Sequence, residues 1–287
     1  MTPSPTTPKL AGSDASAAVA AEIDASGRVP LLVLFISAAI WLVIASGLAL
    51  IGTLKFHQPA LLADCACFTY GRVHPASFNA AIYGFCLPAG FGVGLWLLAR
   101  LGRAPLAMPL IVTVGAMLWN LGVTLGVLGI LDGDSTGFEN LELPGYAGAL
   151  LFLGYLPIGL ASALTFHARR ERQLAPAQWF LVAALFWFPW IFSSAELLLN
   201  TFPSRGVAQP ILAWWYSNNL LVVWCGLAGL AAMFHFVPTL LQRESGDKHL
   251  PSFIFWLLIL VGSWGGIPAT APVPAWMPAI TSSKRNS

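Results

Sequence analysis

Two adjacent asparagines, Asn218 and Asn219, stand in an otherwise apolar stretch, "AWWYSNNLLVVWCGLAG". The surrounding run from Val207 to Gln242 contains no charged residue, and three aromatic residues, 214–216, directly precede the two amides. An unpartnered amide in apolar surroundings costs about 1–3 kcal/mol, so both side chains require partners. The pattern predicts hydrogen bonds to neighbouring helices or a place beside a binding site.

A single carboxylate, Glu196, interrupts another apolar run, "FSSAELLLN". Burying an ionisable group at membrane depth costs about 2.5–3.5 kcal/mol on insertion scales, which makes such a group a functional candidate. Two interpretations stay open, because Glu196 lies near the end of its run. It either reaches the outer membrane interface or belongs to a proton relay or polar network. Asn79 and Asn219 are the amides we expect in that polar network.

One loop contains residues that could coordinate a metal ion. His74 lies close in sequence to Asp64, Cys65 and Cys67. A single Cys-x-Cys pair without a matched second pair is not the pattern of a zinc site, so we expect no metal there. His235, near the end of an apolar run, is interpreted as an interfacial histidine rather than a ligand. The sequence also contains no glycine-rich phosphate loop and no nucleophile elbow.

The composition indicates where these side chains lie. Of the 287 residues, 57% are hydrophobic and 9% are charged, against about 25% charged in a typical soluble domain. The excess predicts an all-α, polytopic transmembrane bundle. The net charge of +2 gives no electrostatic basis for nucleic-acid binding, so the lipid bilayer is the expected surrounding partner.

The apolar runs predict about seven spans, since a span needs about 20 mostly apolar residues. Their expected ranges are 30–54, 76–99, 105–131, 145–168, 175–200, 209–240 and 251–280. The last range is interrupted by the proline-rich segment "IPATAPVPAWMP", so its helix is expected to end near Ile267. Three regions follow: a disordered cytoplasmic tail over 1–28, a transmembrane domain over 29–280 and a polar tail over 281–287.

The distribution of basic residues predicts the orientation. Lys9, Arg28, Arg100, Arg103, Arg169, Arg170, Arg172, Arg243 and Lys248 lie on the side of the amino terminus. The opposite side has Lys55, Arg72, Arg205, Lys284 and Arg285. The amino terminus is therefore expected in the cytoplasm, and the acidic loop 132–142 outside.

Several segments together resemble subunit I of the haem–copper oxidases, most closely that of the cbb-type cytochrome c oxidases. They occur in the family's order: "GRVHPASFNAAIYGF", "STGFENLELP", "AQWF", "AWWYSNN", "WGG" and "PVPAW". The similarity covers residues 30–280. The resemblance implies about twelve helices in the family's subunit I, of which this chain has the first half, and its polar end resembles a truncation. It also implies a low-spin haem, a high-spin haem and a copper that together reduce oxygen.

The family's low-spin haem ligand lies in the pattern Gly-Arg-x-x-Pro-x-His-x-Asn. Gly71, Arg72, Pro75 and Asn79 match this pattern. Ser77 occupies the ligand position, and His74 is the nearby histidine and a weak haem candidate. His74 precedes Ser77 by one helical turn, so we expect it at the membrane edge rather than in the ligand's place.

The family's copper ligands are substituted as well. In the pattern Trp-Trp-Tyr-x-His-Asn, Asn218 replaces the histidine and Asn219 matches the asparagine. Pro268 and Ala269 occupy the positions of two adjacent histidines, and Gly262 that of a tyrosine. A neutral amide is a poor copper ligand beside imidazole, so copper is not expected, whereas haem remains an expectation from the resemblance. We expect Asn218 to face the bundle interior beside a polar partner, and Asn219 to bond a neighbouring helix.

The resemblance implies an integral membrane subunit in aerobic respiratory electron transport, incomplete or degenerate in this chain. Whether the chain has enzyme activity stays open. A non-catalytic scaffold derived from an oxidase is the first alternative, and a transporter using Glu196 is a weaker one. The implied partners are other oxidase subunits, including c-type cytochromes, in a bacterial inner membrane.

Overall fold

The computed structural model describes residues 9–242 and 249–265, and in these ranges every regular element is helical. The α-helices are α1 (Lys9–His57), α2 (Tyr70–Asn79), α3 (Leu87–Gly102), α4 (Pro109–Asp132), α5 (Gly145–His167), α6 (Pro176–Ala195), α7 (Ala208–Asn218), α8 (Cys225–Leu241) and α9 (His249–Leu260). Three π-helical segments connect helices without a break: Ala80–Cys86, Glu196–Thr201 and Asn219–Trp224. Short 3₁₀ turns lie at Ala66–Phe68 and Gly262–Trp264.

The predicted helical membrane bundle is confirmed. Six continuous helical stretches of the described chain are long and apolar enough to cross a membrane: Ala17–His57, Tyr70–Gly102, Pro109–Asp132, Gly145–His167, Pro176–Thr201 and Ala208–Leu241. The seventh predicted span corresponds to the shorter helical stretch His249–Trp264. Its α-helix ends at Leu260, before the expected Ile267, which lies outside the described residues together with Pro268 and Ala269.

The amino-terminal segment differs from the sequence prediction. Helix α1 begins at Lys9, so the expected disorder is corrected for residues 9–28. The segment is rich in alanine, which has the highest helix propensity, and tertiary contacts fix it. Arg100 Nε lies 3.1 Å from Asp24 Oδ1, and the backbone N–H of Leu106 donates to Ser26 Oγ at 2.9 Å.

Close backbone packing joins α4 to α5. A Cβ atom at Gly115 would lie 2.7 Å from the carbonyl oxygen of Gly154, and one at Gly154 would lie 2.7 Å from the backbone nitrogen of Trp119. Small residues at such a crossing let two membrane helices approach closely. Helix α4 ends at Asp132 and is capped by Gly133, whose φ of 103° favours glycine. The loop 133–144 then returns the chain along the end of the bundle that we call the acidic-loop end.

Candidate functional site

The two amides of the opening motif both bond to one turn of the chain. Asn218 Nδ2 donates to the carbonyl of Gly262 at 2.7 Å, and Asn219 Nδ2 donates to the carbonyl of Ser263 at 2.9 Å. Asn219 Oδ1 also accepts a hydrogen bond from Trp187 Nε1 on α6 at 3.0 Å. The amides therefore connect the sixth span to the fifth and to the 3₁₀ turn after α9.

The burial of Asn218 and Asn219 differs from the expectation that Asn218 is the one facing the bundle interior. Asn219 is fully buried, whereas Asn218 is only half-buried. The neighbouring-helix bond expected of Asn219 is present, and Asn218 has a polar partner, but Asn219 is the more interior of the two. Successive helical residues point about 100° apart, and the helix face that carries Asn219 is the one that meets Trp187 on α6. Single π-helical turns inside α-helices occur frequently at functional sites.

A buried tyrosine pair lies beside this segment. The hydroxyls of Tyr83 and Tyr216 are 2.5 Å apart, and both side chains are fully buried. The Tyr83 hydroxyl also donates to the carbonyl of Asn140 at 2.7 Å, and Asn140 Nδ2 donates to Ser217 Oγ at 3.1 Å. Ser217 Oγ donates in turn to the carbonyl of Glu139. These bonds attach the second and sixth spans to the acidic loop.

The acidic loop also reaches Asn79, which the sequence placed in a polar network. Asn79 Nδ2 donates to Glu142 Oε2 at 2.7 Å and to the carbonyl of Pro75 at 2.8 Å. Asn79 Oδ1 is buried and has no hydrogen-bond partner in the described part of the chain. Burial raises the pKa of Glu142, and the hydrogen bond from Asn79 opposes that rise. Asn79 and Asn219 therefore belong to two separate sets of hydrogen bonds at the acidic-loop end.

Ser77, which the resemblance places at the family's haem-ligand position, is a core serine with a hydrogen-bond partner. Ser77 is buried and its Oγ donates to the carbonyl of His74 at 2.7 Å. The His74 ring is exposed; it stacks on Tyr70 with centroids 5.1 Å apart and meets Phe78 edge-on at 4.9 Å. The two side chains therefore differ in burial, and the position of His74 at the membrane edge stays a prediction.

The loop residues proposed for a metal site are not assembled into one. No group of three or more His, Cys, Asp or Glu side chains in the described ranges is arranged to hold a metal ion. Hydrogen bonds from the Cys67 backbone amide, and then from its thiol, lower the pKa of Cys65. The two cysteines are free thiols next to each other, and the His74 ring contacts aromatic residues instead.

Glu196 is not part of the tyrosine or asparagine hydrogen bonds described above. Its Oε2 accepts a hydrogen bond from Asn200 Nδ2 at 2.8 Å, within the same π-helical segment. Its Oε1 is buried and unpartnered among the described residues. The sequence singled out this carboxylate but could not specify that it faces α5 at Gly148.

Sequence reasoning missed several members of these hydrogen-bond sets: Tyr83, Asn140, Glu142 and Ser217. A signal for Tyr83 existed, because it follows Asn79 by four residues and therefore shares its helix face. Tyr216 was noted only as part of an aromatic run. No local pattern indicates that Asn140 would bond across to Ser217, 77 positions away.

Comparison with known proteins bears directly on these positions. The family model for "Cytochrome C and Quinol oxidase polypeptide I" matches residues 29–283, nearly the whole chain.

The chain belongs to this family.

Three relatives of this oxidase family illustrate the similarity. A "Cbb3-type cytochrome c oxidase subunit CcoN1" of Stutzerimonas stutzeri is 22% identical over 80% of this chain and 50% of its own length. A "Cytochrome c oxidase subunit 1 homolog, bacteroid" of Bradyrhizobium diazoefficiens is 26% identical over 78% of this chain and 41% of its own length. A "Cytochrome c oxidase subunit 1" of Rhodobacter capsulatus is 23% identical over 80% of this chain and 46% of its own length. The chain thus spans about half the length of these relatives.

The residues present can be tested against the cofactors of the oxidase family. A copper ion prefers imidazole, but Asn218 offers an amide whose nitrogen donates to Gly262. Asn219 uses both ends of its amide in hydrogen bonds to protein groups. Ser77 offers a hydroxyl that is already bonded to the helix backbone. These donors do not fit a copper site at Asn218 or an axial haem ligand at Ser77.

Proposed function

We propose that this chain is a subunit-I-type component of a bacterial respiratory oxidase assembly, and that its sixth-span site acts as a structural tie. Membership of the oxidase family supports the setting, which is aerobic electron transport coupled to oxygen reduction. The observation that carries the structural role is the hydrogen bond from Asn218 to the Gly262 carbonyl. The resemblance assigns Asn218 to the position of the family's copper-ligand histidine. In this proposal the chain supplies scaffold, and copper-dependent chemistry is not performed at Asn218.

The proposed tie has a clear physical basis. Asn218 and Asn219 donate to the carbonyls of Gly262 and Ser263, which lie in a 3₁₀ turn rather than in a continuing α-helix. The Gly262 carbonyl also accepts a hydrogen bond from the backbone N–H of Gly265 at 3.1 Å. A carbonyl outside a regular helix needs a partner at membrane depth. Asn219 supplies the partner of the Ser263 carbonyl, and Asn218 adds a second donor to the Gly262 carbonyl.

Purification of the tagged protein from its native membrane tests the setting. We expect other oxidase subunits, including a c-type cytochrome, to co-purify with it. The matched test of the site is Asn218→Leu, which should leave any haem absorbance unchanged. Loss of haem absorbance with Asn218→Leu would contradict a purely structural tie, and absence of oxidase subunits from the unmodified preparation would contradict the setting.

We also propose that the amino terminus lies in the cytoplasm of a bacterial inner-membrane protein, on the basis of the basic-residue distribution. Reporter fusions in the loops 132–142 and 169–172 test this orientation. The first should report an external location and the second a cytoplasmic one. The reverse result would overturn the orientation without affecting the family or the site.

A further inference from the structure

A pocket of about 270 Å³ lies where α5 begins and the fifth span ends. Gly145, Gly148 and Phe152 line it from α5, and Glu196, Leu197 and Thr201 line it from the π-helical segment. Both helix ends belong to the acidic-loop end of the bundle. Leu197 is 48% exposed, so the pocket opens onto the apolar surface that a membrane protein presents to lipid. The pocket is therefore at the height where lipid headgroups meet the protein.

A carboxylate oxygen faces this pocket without a partner. Asn200 Nδ2 binds Glu196 Oε2 at 2.8 Å, but Glu196 Oε1 is buried and accepts no hydrogen bond from the residues described. Gly148 leaves room for the carboxylate at this position, because a Cβ atom there would overlap Glu196 Oε1. A buried acceptor left without a donor costs about 1–3 kcal/mol, so a donor from outside the protein would be bound favourably.

The protein does not supply a counter-charge from the two elements that form the pocket. Neither α5 nor the stretch Pro176–Thr201 contains a lysine or an arginine. Glu196 forms no salt bridge with a described residue. The last turn of a helix also carries partial negative charge, which favours a cation next to Glu196. A positively charged hydrogen-bond donor is thus the chemistry that this pocket lacks.

The wall of the pocket formed by α5 has donors that suit an anion. Helix α5 begins at Gly145; the backbone N–H groups of Ala147 and Gly148 donate to the carbonyl of Pro144, and those of Gly145 and Tyr146 have no acceptor within the helix. Such groups attract anions such as phosphate. Exposed apolar side chains, including Leu197 and Leu198, continue from the pocket along the lipid-facing surface. An ammonium group, a phosphate and apolar chains would therefore meet matching surfaces in that order.

We propose that this pocket binds the headgroup of a phosphatidylethanolamine lipid. The primary ammonium donates a hydrogen bond to Glu196 Oε1, and the phosphate lies at the first turn of α5. Phosphatidylcholine has no N–H to donate, and phosphatidylglycerol has no cation. Selectivity for the primary ammonium is therefore the signature of the site. The proposal is independent of the role of Asn218.

Native mass spectrometry of the delipidated protein in detergent tests this site. Phosphatidylethanolamine, phosphatidylcholine and phosphatidylglycerol with identical acyl chains are added separately. We expect one phosphatidylethanolamine to be retained at least roughly tenfold more tightly than either other lipid, which corresponds to about 1.4 kcal/mol. Equal retention of all three lipids would overturn the proposal. Free ethanolamine phosphate in a parallel titration shows whether the headgroup alone suffices.

Two substitutions assign the binding to this pocket. Glu196→Gln keeps the side-chain size but removes the charge, and Gly148→Ala displaces the carboxylate. Both should lower the preference for phosphatidylethanolamine about tenfold. Glu171→Gln, in the loop at the other end of the bundle, is the matched control and should change nothing. If the variants are poorly folded, the unmodified protein decides: its melting temperature should rise in vesicles with phosphatidylethanolamine relative to phosphatidylcholine alone, and an equal melting temperature would contradict the proposal.

Discussion

Replacing Asn219 by leucine should destabilise the bundle more than the same replacement at Asn218. Leucine is close to asparagine in size, so the cavity contribution is small and lost hydrogen bonds dominate. Asn219→Leu deprives two groups on other elements of their partner, Trp187 Nε1 and the Ser263 carbonyl. Asn218→Leu removes one hydrogen bond to the Gly262 carbonyl, which keeps the backbone N–H of Gly265 as a donor, and Asn218 is only half-buried.

The number of hydrogen bonds lost sets the expected loss in the free energy of unfolding for each variant. A hydrogen bond between membrane helices contributes about 0.6 kcal/mol on average and up to about 1.7 kcal/mol. Two lost bonds at a fully buried position give about 1.2–3.4 kcal/mol for Asn219→Leu. One lost bond at a half-buried position gives about 0.6 kcal/mol or less for Asn218→Leu. The difference, not either value alone, is the quantity to be measured.

Reversible unfolding in mixed micelles, followed by tryptophan fluorescence, measures the free energy of unfolding of the three proteins. Asn219→His serves as a second substitution that keeps a hydrogen-bonding side chain, and it should recover part of the loss. A larger loss for Asn218→Leu than for Asn219→Leu would refute the assignment of Asn219 as the principal tie.

Further predictions concern the rest of the bundle. Tyr83→Phe and Tyr216→Phe should each lower the free energy of unfolding. The loss in the double variant should be smaller than the sum of the two single losses by about 0.5–1.5 kcal/mol, because both substitutions remove the same contact between hydroxyls. Additive losses would contradict this. Gly154→Ala should lower the free energy of unfolding by about 1–3 kcal/mol, because its Cβ would lie 2.7 Å from a backbone nitrogen. Gly229→Ala is the control: its Cβ would have no atom within 4 Å, so the bundle should not be destabilised. Thermal unfolding of the two variants measures the difference. Because the pKa of Glu142 is raised, the folded state binds the proton of this carboxyl more tightly than the unfolded state does. The free energy of unfolding therefore includes a stabilising contribution below the ordinary pKa of 4.5, and this contribution is lost as pH rises through the pKa of the folded state. The melting temperature of the unmodified protein should therefore fall relative to Glu142→Gln over that window, and parallel pH profiles would contradict the burial of this carboxylate.

Much of the architecture could be predicted from the sequence. Length and hydropathy located the first six spans because burying backbone in lipid demands continuous apolar helices. The helix over residues 9–28 was missed, because low hydrophobicity suggested disorder while alanine content and the contact of Asp24 with Arg100 favour a helix. Composition describes a segment alone and does not reveal the surface on which it docks.

The candidate site was predictable in its residues but not in its geometry. The sequence motif identified Asn218 and Asn219, and spacing alone separated His74 from Ser77. No local pattern specifies which face of this helix packs against α6, and that packing determines which amide is buried. The partners of Asn140 and Glu196 likewise depend on how distant helices pack, which local patterns do not encode.

The copper content of the purified protein, measured by mass spectrometry of the metal against protein concentration, tests the structural role of Asn218 most directly. It should be measured after incubation with copper and removal of excess, in the unmodified protein and in Asn218→Leu. The hydrogen bond from Asn218 to Gly262 predicts that copper remains far below one ion per chain and is equal in the two proteins. One copper per chain in the unmodified protein, lost in Asn218→Leu, would contradict that role and establish Asn218 as a metal ligand.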